Sequence, residues 1–184
     1  MIVLASASKA RRKLIKMCIR NALVGASDVD ETRLPGESIE NYLRRITLLK
    51  AVPFVKKGAT VIAADTIIEF NGEIFGKPPD ASVAFRYLKA LSGNIHRCIT
   101  GVTILNKTSY AFFVDHAYLK VDKLTDEEIW AYISTGEYRN RAAGYAIQGI
   151  ASRFIHLIKG DITTVIGLPM RKLCKNLNKT TKNV

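Results

Sequence analysis

No apolar run in this 184-residue chain approaches the roughly 18–20 residues that a membrane-spanning helix needs. Cysteine is scarce as well. Cys18, Cys98 and Cys174 are odd in number and far apart, and no Cys-x-x-Cys pair occurs, so neither a secreted disulfide framework nor a zinc knuckle is indicated. His96, His116 and His156 are singletons, and no dedicated zinc site is visible. The opening Met1-Ile-Val-Leu-Ala5 is too short for a secretory apolar segment and has no basic stretch before it, which predicts a cytoplasmic protein. A phosphate-cradling Walker loop is missing too: Gly72-Glu-Ile-Phe-Gly76-Lys77 has the wrong spacing and Pro78 where Ser or Thr belongs.

What the chain does contain is ordinary globular material, 48% hydrophobic and 24% charged, enough for one well-packed domain. Its net charge of +12 is concentrated at the ends. Residues 1–20 carry six basic residues and 171–184 carry five, with no acid in either, which leaves 17 basic residues against all 16 acids between them. Neither end holds an aromatic residue, so base-stacking platforms are absent there and nucleic acid is not an expected partner. Residues 178–184 read as a flexible basic tail beyond a single domain over 1–177.

The pattern along the chain predicts mixed strands and helices. Ile2–Ala5 reads as a buried strand, Ser6-Ala-Ser8 as a small-residue turn, and Lys9 onward as a helix with Leu14, Ile15, Cys18 and Ile19 on one stripe. Ser38 can cap a helix bearing Ile39, Leu43, Ile46 and Lys50, which Pro53 should end. Val61–Phe70 predicts a strand that turns at Asn71-Gly72 into Glu73–Phe75. Asp80 caps a helix to Leu91, and strands are expected over 95–105 and 110–121. Thr125–Glu128 forms a capping box, strands and turns follow, and Pro169 suits the first turn of a last helix. Hairpins among strand–helix alternation indicate an α/β domain whose sheet is only partly parallel.

Three groups of residues could carry chemistry. Ser6, Ser8, Arg11 and Arg12 join a small-residue turn to a basic helix start; this suits a phosphate, although an ordinary solvated helix start is equally compatible. Asp65 follows four apolar residues, where a carboxylate is costly to bury unless paired or metal-bound. It could bind a cation, take a proton from water, or simply bond backbone before Thr66. Glu31, Lys50, Lys77 and Gln148 are isolated polar residues in tight contexts, each readable as structural, which together suit a metal-bound triphosphate and a base edge.

A resemblance joins these pieces. Leu4-Ala-Ser-Ala-Ser8 with Arg11-Arg12, Val29-Asp-Glu31, Lys50-Ala51, Ala64-Asp-Thr66, Gly76-Lys-Pro78, Ser92-Gly93 with His96 and Thr100, Ala143–Gly149 and Val165–Pro169 occur in order. That succession, from residue 2 to about 177, resembles the Maf family of nucleoside triphosphate pyrophosphatases. The resemblance implies an elongated mixed β-sheet flanked by helices, in two lobes with a cleft, similar to the inosine triphosphate pyrophosphatase-like fold. It implies hydrolysis of a nucleoside triphosphate to monophosphate and pyrophosphate with Mg²⁺ or Mn²⁺, as house-cleaning of the nucleotide pool. Asp65 would be the proton acceptor, Ser6, Arg11, Arg12, Lys50 and Lys77 would bind phosphate, and Glu31 would lie at the metal. Ala10, where the common family pattern has arginine, would join Thr66 and Gln148 in base selection. An aromatic residue at that position marks a subgroup resembling 7-methyl-GTP hydrolases, whereas Thr66 and Gln148 keep the other pattern, so pyrimidine nucleotides or a broad range are expected. A homodimer is compatible with this reading. The alternative is a nucleotide-binding regulator of septum formation with incidental hydrolysis.

Overall fold

The computed structural model describes residues 1–56 and 58–181, with side chains through 178. In chain order the elements are β1 (Ile2–Ala5), α1 (Lys9–Cys18), β2 (Leu23–Gly25), α2 (Ile39–Ala51), β3 (Thr60–Phe70), β4 (Glu73–Phe75), α3 (Ala81–Leu91), β5 (Ile95–Leu105), β6 (Tyr110–Val121), α4 (Asp126–Ser134), β7 (Ile155–Lys159), α5 (Ile162–Ile166) and α6 (Met170–Thr181). Of the basic tail expected over 178–184, residues 182–184 lie outside the described residues.

Among the described residues the strands form one seven-stranded sheet in the order β2-β1-β3-β5-β6-β7, with β4 paired to β3. β1 runs parallel to both β2 and β3, whereas β3–β4 and β6–β7 are antiparallel. The partly parallel sheet is therefore as the sequence pattern indicates. The β3–β4 hairpin turns at Asn71 and Gly72, both at positive φ (52° and 84°), the mirror-image geometry that Asn-Gly favours.

The chain divides into two compact units, and the boundary falls within β3 between Asp65 and Thr66. The first contains Met1–Asp65, Thr100–Asp115 and Gly167–Val184. Alternation along its strands sorts side chains to two faces. Leu4, Ile62, Ala64, Val102 and Ile104 meet Ile15 of α1 and Leu168, Leu173 and Leu177 around α6. Val3, Ala5, Val61 and Ala63 meet Ala51 at the end of α2. Gly101 allows α2 close to β5, since an added Cβ would lie 2.8 Å from the Leu43 side chain, and Thr47 and Thr103 share a buried 2.7 Å hydroxyl hydrogen bond beside it.

The second unit contains Thr66–Ile99 and His116–Ile166. Its core joins Phe75, Leu88, Leu91, Leu119, Ile129, Tyr132 and Tyr145. The three helix caps expected from the sequence form, and Ser8, expected only as part of a turn, adds a fourth: Ser8, Ser38, Asp80 and Thr125 each accept a hydrogen bond from a backbone N–H, and Thr125 with Glu128 completes the capping box. Two short elements depart from the expected pattern. β2 is three residues long, below the length at which alternation registers. The run expected as strands and turns before Gly167 holds a helix, α5, because Asp161 Oδ1 accepts from the Thr163 backbone N–H at 2.8 Å and so starts a helical turn despite its β-branched residues.

Candidate active site

Asp65 continues the period-two series Val61, Ala63 on β3, so its carboxylate lies on the face that meets α2. Lys50 occupies the last turn of α2, where the buried stripe Leu43, Ile46 continues onto it. Both are buried. An unpaired charge in such a place is costly, and the two groups satisfy each other: Lys50 Nζ donates to Asp65 Oδ1 at 2.8 Å. The same ammonium reaches Glu31 Oε1 at 2.7 Å. One lysine thus bridges two carboxylates, one buried and one open to solvent. Ser27 Oγ donates to the Lys50 carbonyl at 3.1 Å and ties the loop before Glu31 to the same turn of α2.

The parallel register Ala5↔Ala63 brings the end of β1 beside the approach to Asp65. Ser6 follows Ala5, is buried, and its Oγ accepts from the Ser8 N–H at 3.2 Å; a hydroxyl used in this way still has a proton to donate. Ser8 caps α1 by accepting from the Arg11 N–H. The two arginines that would oppose the helix dipole are held by carbonyl groups. Arg12 Nε donates to the Ser6 carbonyl at 3.1 Å, and Arg11 Nε to the Gly167 carbonyl at 2.7 Å. Ala10 is half-buried in the first turn of α1.

Glu31, Lys50 and Asp65 are therefore brought into direct contact, and Ser6, Ala10, Arg11 and Arg12 share one turn and helix start. Thr66, Lys77 and Gln148 belong to the second unit. Thr66 follows Asp65 on β3, Lys77 is exposed after β4, and Gln148 is exposed in a loop pinned by Glu137. That carboxylate accepts from the Ile150 N–H at 2.8 Å and the Ala151 N–H at 3.1 Å, and receives the Tyr132 hydroxyl at 3.1 Å.

Two residues beside Glu31 escape the sequence pattern. Tyr42 is a buried residue of α2 whose hydroxyl donates to the Glu31 carbonyl at 3.1 Å. Burial, then the charges of Asp65 and Glu31, push its pKa up, so the phenol keeps its proton as a donor. Arg45, one turn on, makes two 2.8 Å bonds to the Glu37 carboxylate and one of 2.9 Å to the Thr32 carbonyl. Its hydrogen bonds hold the Glu37 carboxyl down at about 2. No residue pattern signals this pair, because both side chains bond to main-chain carbonyls of the loop.

Among the described residues no three His, Cys, Asp or Glu side chains are grouped as a metal cage. Mg²⁺ does not require one: it takes one or two carboxylates and completes its shell with water and phosphate oxygens. Glu31, with its side chain 40% exposed beside buried Asp65, fits that demand as a donor set.

A seven-stranded mixed sheet with helices, carrying a carboxylate–lysine–carboxylate group where the end of α2 meets the middle of β3, defines a mixed α/β protein with a polar site. A solved structure of a HAM1 protein from Coxiella burnetii shares this fold, with a TM-score of 0.52 at 13% identity over 97% of this chain and 98% of that one. The sequence pattern described as "Maf-like protein" matches residues 1–180. A dTTP/UTP pyrophosphatase of Thermococcus gammatolerans is 39% identical over 175 residues, covering 95% of this chain and 94% of that protein. One from Clostridium novyi is 37% identical over 180 residues, covering 95% and 94%. One from Pyrococcus horikoshii is 40% identical over 173 residues, covering 93% and 92%. The chain belongs to the Maf-like protein family.

Proposed function

We propose that this chain is a nucleoside triphosphate pyrophosphatase that cleaves the α–β phosphoanhydride of pyrimidine nucleotides in the cytoplasm and so clears the nucleotide pool. The observation that carries the reading is the Lys50 bridge between Asp65 and Glu31, next to the arginine-bearing turn after β1. The names of the full-length relatives, dTTP/UTP pyrophosphatase, support both the reaction and the base class.

In this mechanism water attacks the α-phosphorus and pyrophosphate leaves. Asp65 accepts the proton of that water, and its contact with the Lys50 ammonium aims the carboxylate. Ser6 donates its hydroxyl proton to a phosphate oxygen, while Arg11, Arg12 and Lys77 offset phosphate charge. Glu31 would hold a divalent cation, Mg²⁺ or Mn²⁺, which supplies Lewis-acid stabilisation of the phosphate oxygens when bound. Ala10, Thr66 and Gln148 are assigned to base selection, with a small alanine where the common family pattern has arginine.

Pyrophosphate release from the common ribo- and deoxynucleoside triphosphates, 5-methyl-UTP and 7-methyl-GTP tests the reading, with Mg²⁺ or Mn²⁺ present. Turnover is expected to be highest with dTTP and UTP and to collapse in Asp65→Asn. A folded protein that turns over no triphosphate in this panel would overturn it.

A further inference from the structure

The loop that carries Glu31 is tied to α2 through its main chain. Asp30 Oδ1 accepts from the Thr32 N–H at 2.8 Å, which folds a tight turn about Glu31. On the helix side, Tyr42 donates its hydroxyl proton to the Glu31 carbonyl at 3.1 Å, and Arg45 donates to the next carbonyl, that of Thr32, at 2.9 Å. The far end of the loop is held by the same arginine through its two-point contact with Glu37. Glu37 in turn accepts from the Leu34 N–H at 3.1 Å, and its carbonyl receives Arg33 Nε at 2.9 Å. Residues 30–36 are otherwise exposed, with no apolar side chain buried to anchor them.

A carboxylate on an exposed loop samples many positions, and each rotamer and backbone state lost on binding costs free energy. Holding its own carbonyl and the next one restrains the backbone part of that freedom before any ligand arrives, and the Lys50 contact restrains the side chain. We propose that Tyr42 and Arg45 are positioning residues, which clamp the successive carbonyls of Glu31 and Thr32 and so fix the Glu31 carboxylate at Lys50, ready for a divalent cation. The assignment of Glu31 to a cation rests on the function proposed above; the clamp itself stands on the hydrogen bonds. A one-point donor in a buried site and a planar fork at the surface are suited to these tasks. The ring of Tyr42 packs while its hydroxyl reaches out, and only an arginine can engage Glu37 twice and a carbonyl as well.

The test uses Tyr42→Phe, which keeps the ring and removes only the donor, and Arg45→Lys, which keeps the charge and loses the fork. Mn²⁺ binding to the full chain is followed by loss of the free-ion electron paramagnetic resonance signal, and pyrophosphate release from dTTP is measured across Mn²⁺ concentrations. In both variants the dissociation constant for Mn²⁺ is expected to rise about tenfold, and the half-activating Mn²⁺ concentration to rise by more than kcat falls. Wild-type Mn²⁺ binding in both folded variants overturns the clamp, and so does a wild-type protein that binds no Mn²⁺ at millimolar concentration. If wild-type binds Mn²⁺ and both variants bind it more weakly, yet none turns over any triphosphate, the clamp stands and the pyrophosphatase reading falls.

Discussion

Lys50 and Asp65 meet at 2.8 Å although they arrive from different kinds of structure, the last turn of α2 and the middle of β3. Each occupies the position where an apolar series would place its next core residue, Leu43–Ile46–Lys50 on the helix and Val61–Ala63–Asp65 on the strand. The core face of the first unit therefore ends in an ion pair rather than in another aliphatic contact. Such a pair adds little net stability over an apolar alternative, so its presence points to use rather than to folding.

The two partners should respond differently to removal. Asp65→Asn leaves Lys50 its contact with Glu31, so the loss is chiefly of the proton acceptor: kcat should fall roughly 10²–10⁴-fold with little change in Tm. Lys50→Met strands a buried carboxylate, which costs about 3 kcal/mol or more, and should lower Tm by several degrees as well as abolish turnover. Calorimetry beside a pyrophosphate assay separates the two patterns. Equal Tm losses in both variants would contradict this account of the bridge.

In the second unit, His96 is 2% exposed and shares a 2.6 Å hydrogen bond between Nε2 and the Tyr145 hydroxyl, while its buried Nδ1 has no hydrogen-bond partner among the described residues. Burial lowers its pKa from 6.5 to about 4. The unfolded chain then binds more protons than the folded one between those values. Stability from this group is complete above about pH 6.5 and is lost as pH falls towards 4, at most about 3 kcal/mol. Urea unfolding at pH 7 and pH 4.5 should show wild-type losing about 2 kcal/mol more than His96→Gln, which removes the titration. Parallel losses in the two proteins would place the acid sensitivity elsewhere.

Much of this site was legible in the sequence because charged residues interrupt regular apolar patterns. Asp65 interrupts the apolar run of a strand, Lys50 ends a helical stripe, and the caps at Ser38, Asp80 and Thr125 announce where helices begin. The contacts themselves were not legible. That Arg11 is held by the Gly167 carbonyl, 156 residues away, depends on how α6 returns to α1, and a carbonyl has no side-chain signature. Tyr42 was hidden for a similar reason, since a tyrosine on an apolar helix face looks like core until the loop its hydroxyl meets is known. The helix α5 is set by one aspartate against a β-branched run, too short for periodicity to register.

The cysteines give a direct check on packing. Cys18 is exposed, Cys174 is half-buried with its thiol pushed up by burial and by the neighbouring Cys18 thiol, and Cys98 is buried with its thiol donating to the Thr164 carbonyl. Alkylation needs an accessible thiolate. Iodoacetamide at pH 8 should therefore modify Cys18 first and Cys174 more slowly, and should reach Cys98 only after unfolding in urea. Peptide mass mapping over time reads the order, and rapid labelling of Cys98 in the native protein would show that the second unit's core is not packed as described.

Gly149 offers the sharpest test of the loop that presents Gln148. A Cβ on Gly149 would overlap a Glu137 carboxylate oxygen, so Gly149→Ala must drive that side chain away. The backbone at Gly149 is at φ −114°, open to alanine, which makes the contact and not the main chain the cause of any effect. Glu137 would then release the N–H groups of Ile150 and Ala151, whose two charge-assisted bonds are together worth about 3 kcal/mol if wholly lost. The Gln148 loop should loosen, and discrimination between dTTP and purine triphosphates should weaken by about tenfold in kcat/KM while Asp65 and Lys50 remain intact. Glu137→Gln, which retains the volume but weakens the acceptor, should move selectivity in the same direction by less. If both variants kept wild-type selectivity, Gln148 would have no part in choosing the base.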